Sequence, residues 1–325
     1  GTSDSPVYQY FAEAAFKTNA SYTSLIMPSR WYAGGRENLL GKFRKNMLNN
    51  RSVRKLITYD DSHDVFPAVE IKGGLCIYLT DVSYDGDCEY ILISDNYKDI
   101  RMRNLGEFDI LIKYPVLAII VKKVMTKNNG CSTVETIISN DTPFGISTNP
   151  KESKKNPIKV YETATALHNT KLFYIDKSKR KIEYISKEII LKNADMIETE
   201  KVFIPSGYGA GEKFPHQILG LPEYAGSNSV CSQSFMYASF STGLEAKNFI
   251  IYLSTKFFRA LVLAMKITQS APNKVYRFVP MQDFTYSSDI DWSKSVPEID
   301  KQLYEKYGLI EDEIAFIEEK IKPME

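Results

Sequence analysis

Apolar residues recur first at helical spacing and then in short continuous runs along the first eighty residues. Such runs of strand length, set between helices with one apolar face, are typical of an α/β domain with buried strands. Glycine pairs at 34–35 and 73–74 mark turns between these elements. The predicted order is a helix over residues 8–17, a strand over 22–27, a helix over 39–47, a strand over 53–59, a polar loop and a strand over 75–79.

The predicted second helix is amphipathic, because its apolar residues fall on one stripe. Leu39, Leu40, Phe43 and Met47 form that stripe, and it is expected to face the core. Three basic residues of the same helix are expected to lie outside this stripe: Lys42, Arg44 and Lys45.

Beyond Thr80 the apolar pieces become shorter and alternate with turn-rich segments. A second domain is therefore predicted to begin near residue 100, which divides the chain into 1–100 and 101–325. The features of this part are strand-like pieces at 90–93, 116–121 and 134–138, a lysine-rich stretch at 151–192, a helical stretch at 243–268, and a last helix with Ile310, Ile314, Ile317 and Ile321 on one face.

Composition places the chain among water-soluble globular proteins. It has 325 residues, of which 43% are hydrophobic and 25% charged, and its net charge is +1. The four cysteines form no Cys-x-x-Cys pair, which argues against a zinc ribbon, and Cys76 within an apolar run is expected in the core. The apolar stretch 249–265 is interrupted by polar residues and predicts a buried helix pair. We expect a cytoplasmic protein with no membrane segment and no metal site.

Two predicted strand ends carry residues of the kind that line pockets. Arg30 and Trp31 follow the first strand, and Phe66 lies in the loop between the next two strands. Ligands of open α/β sheets bind at the carboxyl ends of the strands, so these residues are expected on one rim. The alternative is that Trp31 and Phe66 only cap the hydrophobic core.

The same segments resemble the C-terminal half of the catalytic domain of bacterial adenine-specific DNA methyltransferases of type II restriction–modification systems, the amino-methyltransferase group typified by the TaqI enzyme. The matching elements are Tyr8–Phe16, Ile26–Trp31, and Val65-Phe66-Pro67 before Leu75–Leu79. The resemblance implies an α/β, partial Rossmann-like methyltransferase lobe in which Phe66 stacks on an adenine turned out of the duplex. It also places Arg30, Trp31 and Lys72 at the rim of the base pocket.

Two elements of that family do not occur in this sequence: the Gly-rich loop for S-adenosylmethionine and the Asn-Pro-Pro-Tyr that holds the adenine amino group. The chain is therefore expected to be a truncated methyltransferase that transfers no methyl group by itself. S-adenosylmethionine is expected to bind the intact parent and not this part. The expected partners are double-stranded DNA and the missing N-terminal half, with self-association as another way to cover the exposed sheet edge.

A glycine-rich segment, Ser206–His216, imitates a nucleotide-binding loop, but no helix pattern follows it as a dinucleotide loop requires. It suits either a tight surface turn or close approach to a phosphate backbone. Together with residues 255–259 and 275–280 it resembles the target-recognition domain of type II restriction–modification methylases. That resemblance implies an α+β domain that binds DNA. The candidate contacts are Tyr208, Lys213, His216, Lys256, Lys274, Arg277 and Gln282.

Two other functions are compatible with the sequence. The chain could be a DNA specificity module without a catalytic origin, in which residues 1–100 form an assembly surface. It could also be a nuclease, since Glu70-Ile71-Lys72 with Asp61 or Asp64 imitates the metal site of many restriction endonucleases. The Glu-x-Lys pattern recurs at 152–154, 245–247 and 318–320 without any such context, which indicates chance.

Overall fold

A computed structural model describes residues 6–18, 20–34, 37–94, 97–153, 157–209 and 214–324 (of residue 37, the backbone only). These residues form two compact units. The first unit comprises the described residues up to Ile119 together with Ala264–Thr268. The second unit comprises Ile120–Leu263 and the described residues from Gln269 onward. The division predicted from the sequence, a methyltransferase part up to residue 100 and a DNA-binding part after it, separates functional domains. It stays a prediction.

The first unit is a mixed α/β layer in which the predicted elements recur nearly residue for residue. Its helices are α1 (Tyr8–Phe16) and α2 (Lys42–Leu48), the latter preceded by a π-helical turn, Glu37–Gly41. Its strands are β1 (Tyr22–Pro28), β2 (Val53–Tyr59), β3 (Leu75–Asp81), β4 (Cys88–Ser94) and β5 (Tyr97–Arg103).

These strands form one sheet in the order β1-β3-β2-β4-β5. β3 runs antiparallel to both β1 and β2, whereas β4 runs parallel to β2 and antiparallel to β5. The carboxyl ends of β1, β2 and β4 therefore point to the same edge of the sheet. β1 is an edge strand, because β3 is its only neighbour in the sheet order of the described residues.

The core of the first unit is built from aromatic residues as well as aliphatic ones. Trp31, Tyr78 and Tyr90 are fully buried, and Trp31 contacts Tyr32 and Phe43 edge to face at ring-centroid distances of 4.7 and 5.8 Å. The prediction that Cys76 is a core residue is confirmed. Burial raises the pKa of its thiol to about 11.

Two strand-like pieces are not strands. Residues 116–121 lie in helix α3 (Pro115–Asn128), whose buried residues include Leu117, Ile120, Val121 and Val124. The valines and isoleucines of residues 116–121 favour a strand locally. The conformation is instead decided by burial of one helical face, which carries the four buried residues. Residues 134–138 form a short 3₁₀ turn, Val134–Thr136, and a single bridge between Ile138 and Ala238.

The second unit begins within α3 and combines two small sheets with helices. One sheet has the order β10-β6-β7 and the other β11-β8-β9. Their bounds are β6 (Thr170–Asp176), β7 (Lys179–Ile185), β8 (Glu200–Pro205), β9 (Glu223–Tyr224), β10 (Ser229–Cys231) and β11 (Phe235–Phe240). The helices after them are α4 (Gly243–Ser254), α5 (Lys256–Leu263), α6 (Val296–Tyr307) and α7 (Glu311–Lys320).

Residues 249–265 form the buried helix pair that the sequence predicts, as the C-terminal half of α4 and the whole of α5. No described helix has the length and apolar character needed to span a bilayer. A capping box starts α4: the Glu245 backbone N–H donates to the Thr242 hydroxyl at 3.2 Å, and the Thr242 N–H donates to the Glu245 carboxylate at 2.9 Å.

Candidate functional site

One edge of the first sheet brings together the predicted pocket residues. Pro28 at the end of β1 pairs with Leu75, Leu75 pairs with Tyr59 at the end of β2, and Tyr59 pairs with Ile93 of β4. We call this edge the rim: residues 28–34 after β1, residues 59–74 between β2 and β3, and the adjoining Lys113 and Tyr114. Ligands of α/β sheets bind at such edges.

The loop between β2 and β3 is held by its own hydrogen bonds. The buried Ser62 hydroxyl accepts from the Ile71 N–H at 2.8 Å and donates to the Val69 carbonyl at 2.9 Å. The Phe66 N–H donates to the Ser62 carbonyl at 2.8 Å. Phe66 itself is 39% exposed, so its ring is presented to solvent from a fixed backbone. The position suits stacking against a flat ligand.

A largely buried ion pair contacts both ends of this loop. Lys113 pairs with the Asp60 carboxylate and donates to the Gly73 carbonyl at 3.1 Å, and the Tyr114 hydroxyl donates to Asp60 at 2.9 Å. Burial opposes ionisation of Asp60, but Lys113 and the hydroxyl donors outweigh it and lower the pKa of the carboxyl. The pair ties residues 113–114 to the start and the end of the loop.

The residues predicted at the base-pocket rim separate into two groups. Arg30, Lys72 and Phe66 are exposed on the rim. The Trp31 side chain is fully buried beneath it, as the core-capping alternative requires, so its place on the pocket rim is wrong. An indole with an apolar ring system of this size is stabilised by burial in the core.

Arg44 is a buried basic residue of α2 whose role the sequence did not indicate. Although it lies outside the apolar stripe, it is 6% exposed and donates to the carbonyl of Trp31 at 2.7 Å and to that of Gly34 at 2.9 Å. Its guanidinium therefore fixes the chain after β1, where Arg30 lies. No local pattern distinguishes it from Lys45, since the partners are backbone carbonyls of another element.

In the second unit, the described start of the glycine-rich segment, residues 206–209, lies beside residues 269–271. The Tyr208 N–H donates to the Gln269 carbonyl at 2.8 Å, and the Ala271 N–H donates to the Ser206 carbonyl at 2.9 Å. The rings of Tyr208 and His216 meet edge to face at 6.3 Å. The structure thus brings Tyr208 and His216 together, next to the segment that leads to Lys274. Lys213 lies outside the described residues.

His216 is mainly a structural residue. It is buried, and its Nδ1 accepts from the Ile218 N–H at 2.7 Å, so Nδ1 carries no proton in this arrangement. Its backbone N–H donates to the Lys320 carbonyl at 2.8 Å. These contacts join the chain after the glycine-rich turn to the end of α7.

The remaining residues predicted to contact DNA differ in their exposure and in the partners they already have. Lys274 is exposed, and Arg277 lies over the Phe278 ring at 4.7 Å. The Lys256 ammonium pairs with Glu318 at 2.5 Å. Gln282 is buried, donates to the Tyr307 hydroxyl at 2.9 Å and accepts from Lys306 at 2.8 Å, so it supports the core and cannot reach a base edge.

The metal-site pattern of the nuclease alternative receives no support from geometry. Glu70 and Lys72 are both exposed on the loop between β2 and β3. Asp61 instead accepts from the backbone N–H of His63 at 2.9 Å and contacts its ring at 2.6 Å. Within the described ranges, no three His, Cys, Asp or Glu residues are grouped so as to hold a metal ion.

Comparison with known proteins relates the first unit to a family. Residues 1–66, which include α1, β1, β2 and the loop up to Phe66, match the family model "Eco57I restriction-modification methylase". Over these residues the chain is similar to restriction–modification methylases. The family resemblance read from the sequence is thereby confirmed. The match ends within the rim, at the exposed aromatic residue Phe66.

Two other comparisons concern individual proteins. A protein of Mycoplasma pneumoniae (strain ATCC 29342 / M129 / Subtype 1), described as an uncharacterized adenine-specific methylase, is 29% identical over 86 residues, which are 26% of this chain. That match covers 20% of the other protein's length. The crystal structure of the type IIG restriction endonuclease BpuSI matches with a TM-score of 0.37 at 13% identity, over 89% of this chain and 42% of that chain.

A buried carboxylate in the second unit predicts a pH dependence of stability. Asp300 accepts from the N–H groups of Lys256 and Phe257 at 2.9 and 2.8 Å, and burial raises its pKa to about 6, helped by Glu318 and opposed by these N–H groups and by Arg259. The unfolded carboxyl ionises near pH 4. Between about pH 4 and 6 only the folded state retains this proton, so stability should fall by about 3 kcal/mol as pH rises.

The measurement is the difference in urea unfolding free energy between the wild type and Asp300→Asn at pH 4 and pH 6.5. The amide cannot ionise, so this contribution should vanish in the variant, while the other carboxyl groups titrate alike in both proteins. The same pH dependence in both proteins would contradict the assignment.

Proposed function

We propose that this chain supplies the base-contacting wall and the DNA-binding part of an S-adenosylmethionine-dependent, adenine-specific DNA methyltransferase of a restriction–modification system. The observation that carries the proposal is the exposed Phe66 ring, held on a hydrogen-bonded loop at the carboxyl ends of the strands in the unit related to methylases. A base turned out of a duplex loses its stacking, and an aromatic face restores part of it.

The rim does not fit the methyl donor by itself. A carboxylate at a strand end is the group that commonly holds the ribose of a nucleoside cofactor. At this rim Asp60 is already satisfied by Lys113 and Tyr114 and is largely buried. We therefore assign S-adenosylmethionine to a segment other than the described residues, and we derive no transfer step from this chain.

The open edge of the sheet supports a missing half. α1 turns Tyr8 and Phe16 toward the core, where Phe16 lies 5.5 Å from Tyr78, whereas Phe11 on its other side is 69% exposed. Other large apolar residues exposed on α1, beside it or on β1 are Val7, Tyr10, Tyr22 and Ile26. An exposed apolar face next to an unpaired strand edge is typical of a surface that pairs with further strands and is covered by another part of the protein.

The chain spans about a fifth of the length of the curated relative it matches, so that relative has ample sequence for such a half. We propose that the N-terminal methyltransferase half, with the donor site and the adenine-amino loop, pairs with β1 and covers α1. The base turned out of the duplex is then bound between the two halves, with Arg30 and Lys72 near the phosphates of its nucleotide. The second unit serves as the target-recognition domain, with Lys274 and Arg277 among its DNA contacts.

The test is the affinity of the chain for a duplex that carries one extrahelical 2-aminopurine, an adenine analogue. Phe66→Ala should weaken binding to this duplex by about one to two orders of magnitude, because stacking on an aromatic side chain contributes about 1–3 kcal/mol per base. Fluorescence anisotropy measures the affinity, and Phe66→Trp should restore it.

Val69→Ala is the matched control, since Val69 is exposed on the same loop but carries no ring. It should leave the affinity for both duplexes nearly unchanged. A wild-type chain that binds the extrahelical and the fully paired duplex equally would refute the role of the rim. Equal effects of the Phe66→Ala and Val69→Ala substitutions would refute the role of the ring.

A further inference from the structure

The hairpin of β6 and β7 ends in a free two-stranded segment. The two strands pair from Thr170 and Ile185 to Asp176 and Lys179, whereas β10 pairs only with residues 171–173 of β6. Residues 174–181 are therefore joined to no third strand among those described, and we call them the ribbon. Lys177 and Ser178 at its tip have φ angles of 45° and 66°, the combination of a tight type I′ turn that matches the strand twist.

Positive charge is concentrated on this hairpin. Residues 171–187 contain six basic and two acidic residues, an excess of four, although the whole chain has a net charge of only +1. Lys177, Lys179 and Lys181 are exposed. Lys179 and Lys181 point to the same face of the ribbon, about 6.8 Å apart along the strand. Three ammonium groups are thus presented on one narrow element.

Two acidic residues lie on this face: Asp176, which pairs in register with Lys179 at the tip, and Glu183, which is already neutralised. Glu183 is buried and accepts from the Tyr174 hydroxyl at 2.6 Å and from Lys151 at 2.9 Å. Burial opposes its ionisation, but Tyr174 and Lys151 outweigh this and lower its pKa. The Glu183 charge is therefore used inside the protein. Lys177, Lys179 and Lys181 are offset by Asp176 alone and together keep a net charge of +2.

The opposite face of the ribbon is anchored to the second unit. Arg180 donates to the Leu221 carbonyl at 2.5 Å, pairs with Glu223 at 3.3 Å and lies over the Phe235 ring at 5.8 Å. Arg180 is thus a support, and the three lysines are the groups available to a ligand. The ribbon presents them without a large cost in ordering, because its backbone is already fixed.

We propose that the ribbon is a phosphate-contacting element for duplex DNA, with Lys177, Lys179 and Lys181 on the phosphates. Neutralisation of phosphates by lysines supplies much of the affinity of DNA-binding proteins, and a two-stranded β-ribbon fits the major groove of B-DNA. The proposal rests on the proposed function for the identity of the ligand. It adds a surface that lies apart in sequence from Tyr208, Lys274 and Arg277.

The experiment measures the affinity of the full 325-residue chain for a fully paired duplex over a series of salt concentrations. The triple variant Lys177→Gln, Lys179→Gln, Lys181→Gln should bind roughly tenfold more weakly or worse at low salt. Each lost phosphate contact lowers the slope of log K against log salt by about 0.9, so the slope should fall by about 2 to 3.

A second triple variant, Lys42→Gln, Lys127→Gln, Lys301→Gln, removes the same charge from three other exposed positions and should retain nearly the full slope. Circular dichroism verifies that both variants are folded. If the wild type binds duplex DNA and the ribbon variant keeps its slope, or the control loses as much, the ribbon inference is refuted and the proposed function stands. If the wild type binds no duplex DNA, both are refuted.

Discussion

Replacement of Arg259 by alanine is expected to destabilise the second unit by about 3 to 5 kcal/mol. Arg259 is 0% exposed, and its guanidinium donates to four backbone carbonyls at 2.8–3.1 Å. Burial lowers its pKa to about 10, against the attraction of Asp300. The truncation leaves a cavity and removes one donor from each of four carbonyls, two in buried and two in part-buried hydrogen bonds. The carbonyls belong to Gln217, Ser254, Thr255 and Lys322.

Urea unfolding followed by tryptophan fluorescence measures this loss. The chain has two tryptophans, one in each unit, so a Trp31→Phe background leaves Trp292 as the reporter of the second unit. Lys256→Ala is the control, because its partly exposed ion pair with Glu318 should contribute about 1 kcal/mol or less. An unchanged urea midpoint for the Arg259→Ala variant would show that the guanidinium does not stabilise the packing of these segments.

Replacement of Gly74 by alanine is expected to disrupt the rim at a cost of about 3 to 5 kcal/mol. Gly74 has a φ of +82°, and a Cβ there would lie 2.1 Å from the Tyr59 carbonyl oxygen and 2.7 Å from that of Asp60. The methyl group can be accommodated only if β2 and β3 separate at their ends. The Gly74 carbonyl, which accepts from the Ser29 N–H at 3.1 Å, would move with them.

The matched control for this substitution is Gly130→Ala. Gly130 has a similar φ of +75°, but a Cβ there would meet no atom within 4 Å, so only the left-handed backbone is penalised, by about 1 kcal/mol. Gly74 lies in the first unit, so Trp31 in a Trp292→Phe background reports its loss; Gly130 lies in the second unit, so Trp292 in a Trp31→Phe background reports the loss of the control. Equal losses for the two alanine variants would mean that backbone conformation, and not the contact with β2, determines the need for glycine.

The sequence predicted the elements of the first unit well because local pattern and tertiary burial agree there. β2 spans Val53–Tyr59 as predicted, and α1 and β3 differ from prediction by one or two residues at an end. β5, by contrast, was missed, since its residues 97–103 are largely exposed and polar. An edge strand with few buried residues carries little hydrophobic signal.

Prediction failed where a residue's partner lies in another element. The run at 116–121 is β-branched and yet helical, because its buried stripe includes Val124, beyond the run itself. Arg259 and Lys256 lie three apart on α5 and look alike in sequence. One is buried among carbonyls, and the other pairs with Glu318 of α7. Only distant backbone oxygens distinguish them.

The candidate site was predicted in its residue types and only partly in its geometry. The sequence indicated Phe66 and Arg30 at strand ends, and both are exposed on the rim. It did not indicate the Asp60–Lys113 pair that joins the loop to residues more than fifty positions later. Nor did it indicate the ribbon, because lysines at 177, 179 and 181 reveal their common surface only once β6 and β7 are paired.

By itself, the sequence determined the α/β character of the first unit and the relation to restriction–modification methylases, because periodicity and short motifs are local properties of the chain. The tertiary structure decided which polar residues are available to a ligand. Burial of Trp31, Arg44, Gln282 and Arg259, and exposure of Phe66, depend on which distant segments pack against each side chain. Desolvation and hydrogen bonding act across elements, so no local pattern encodes them.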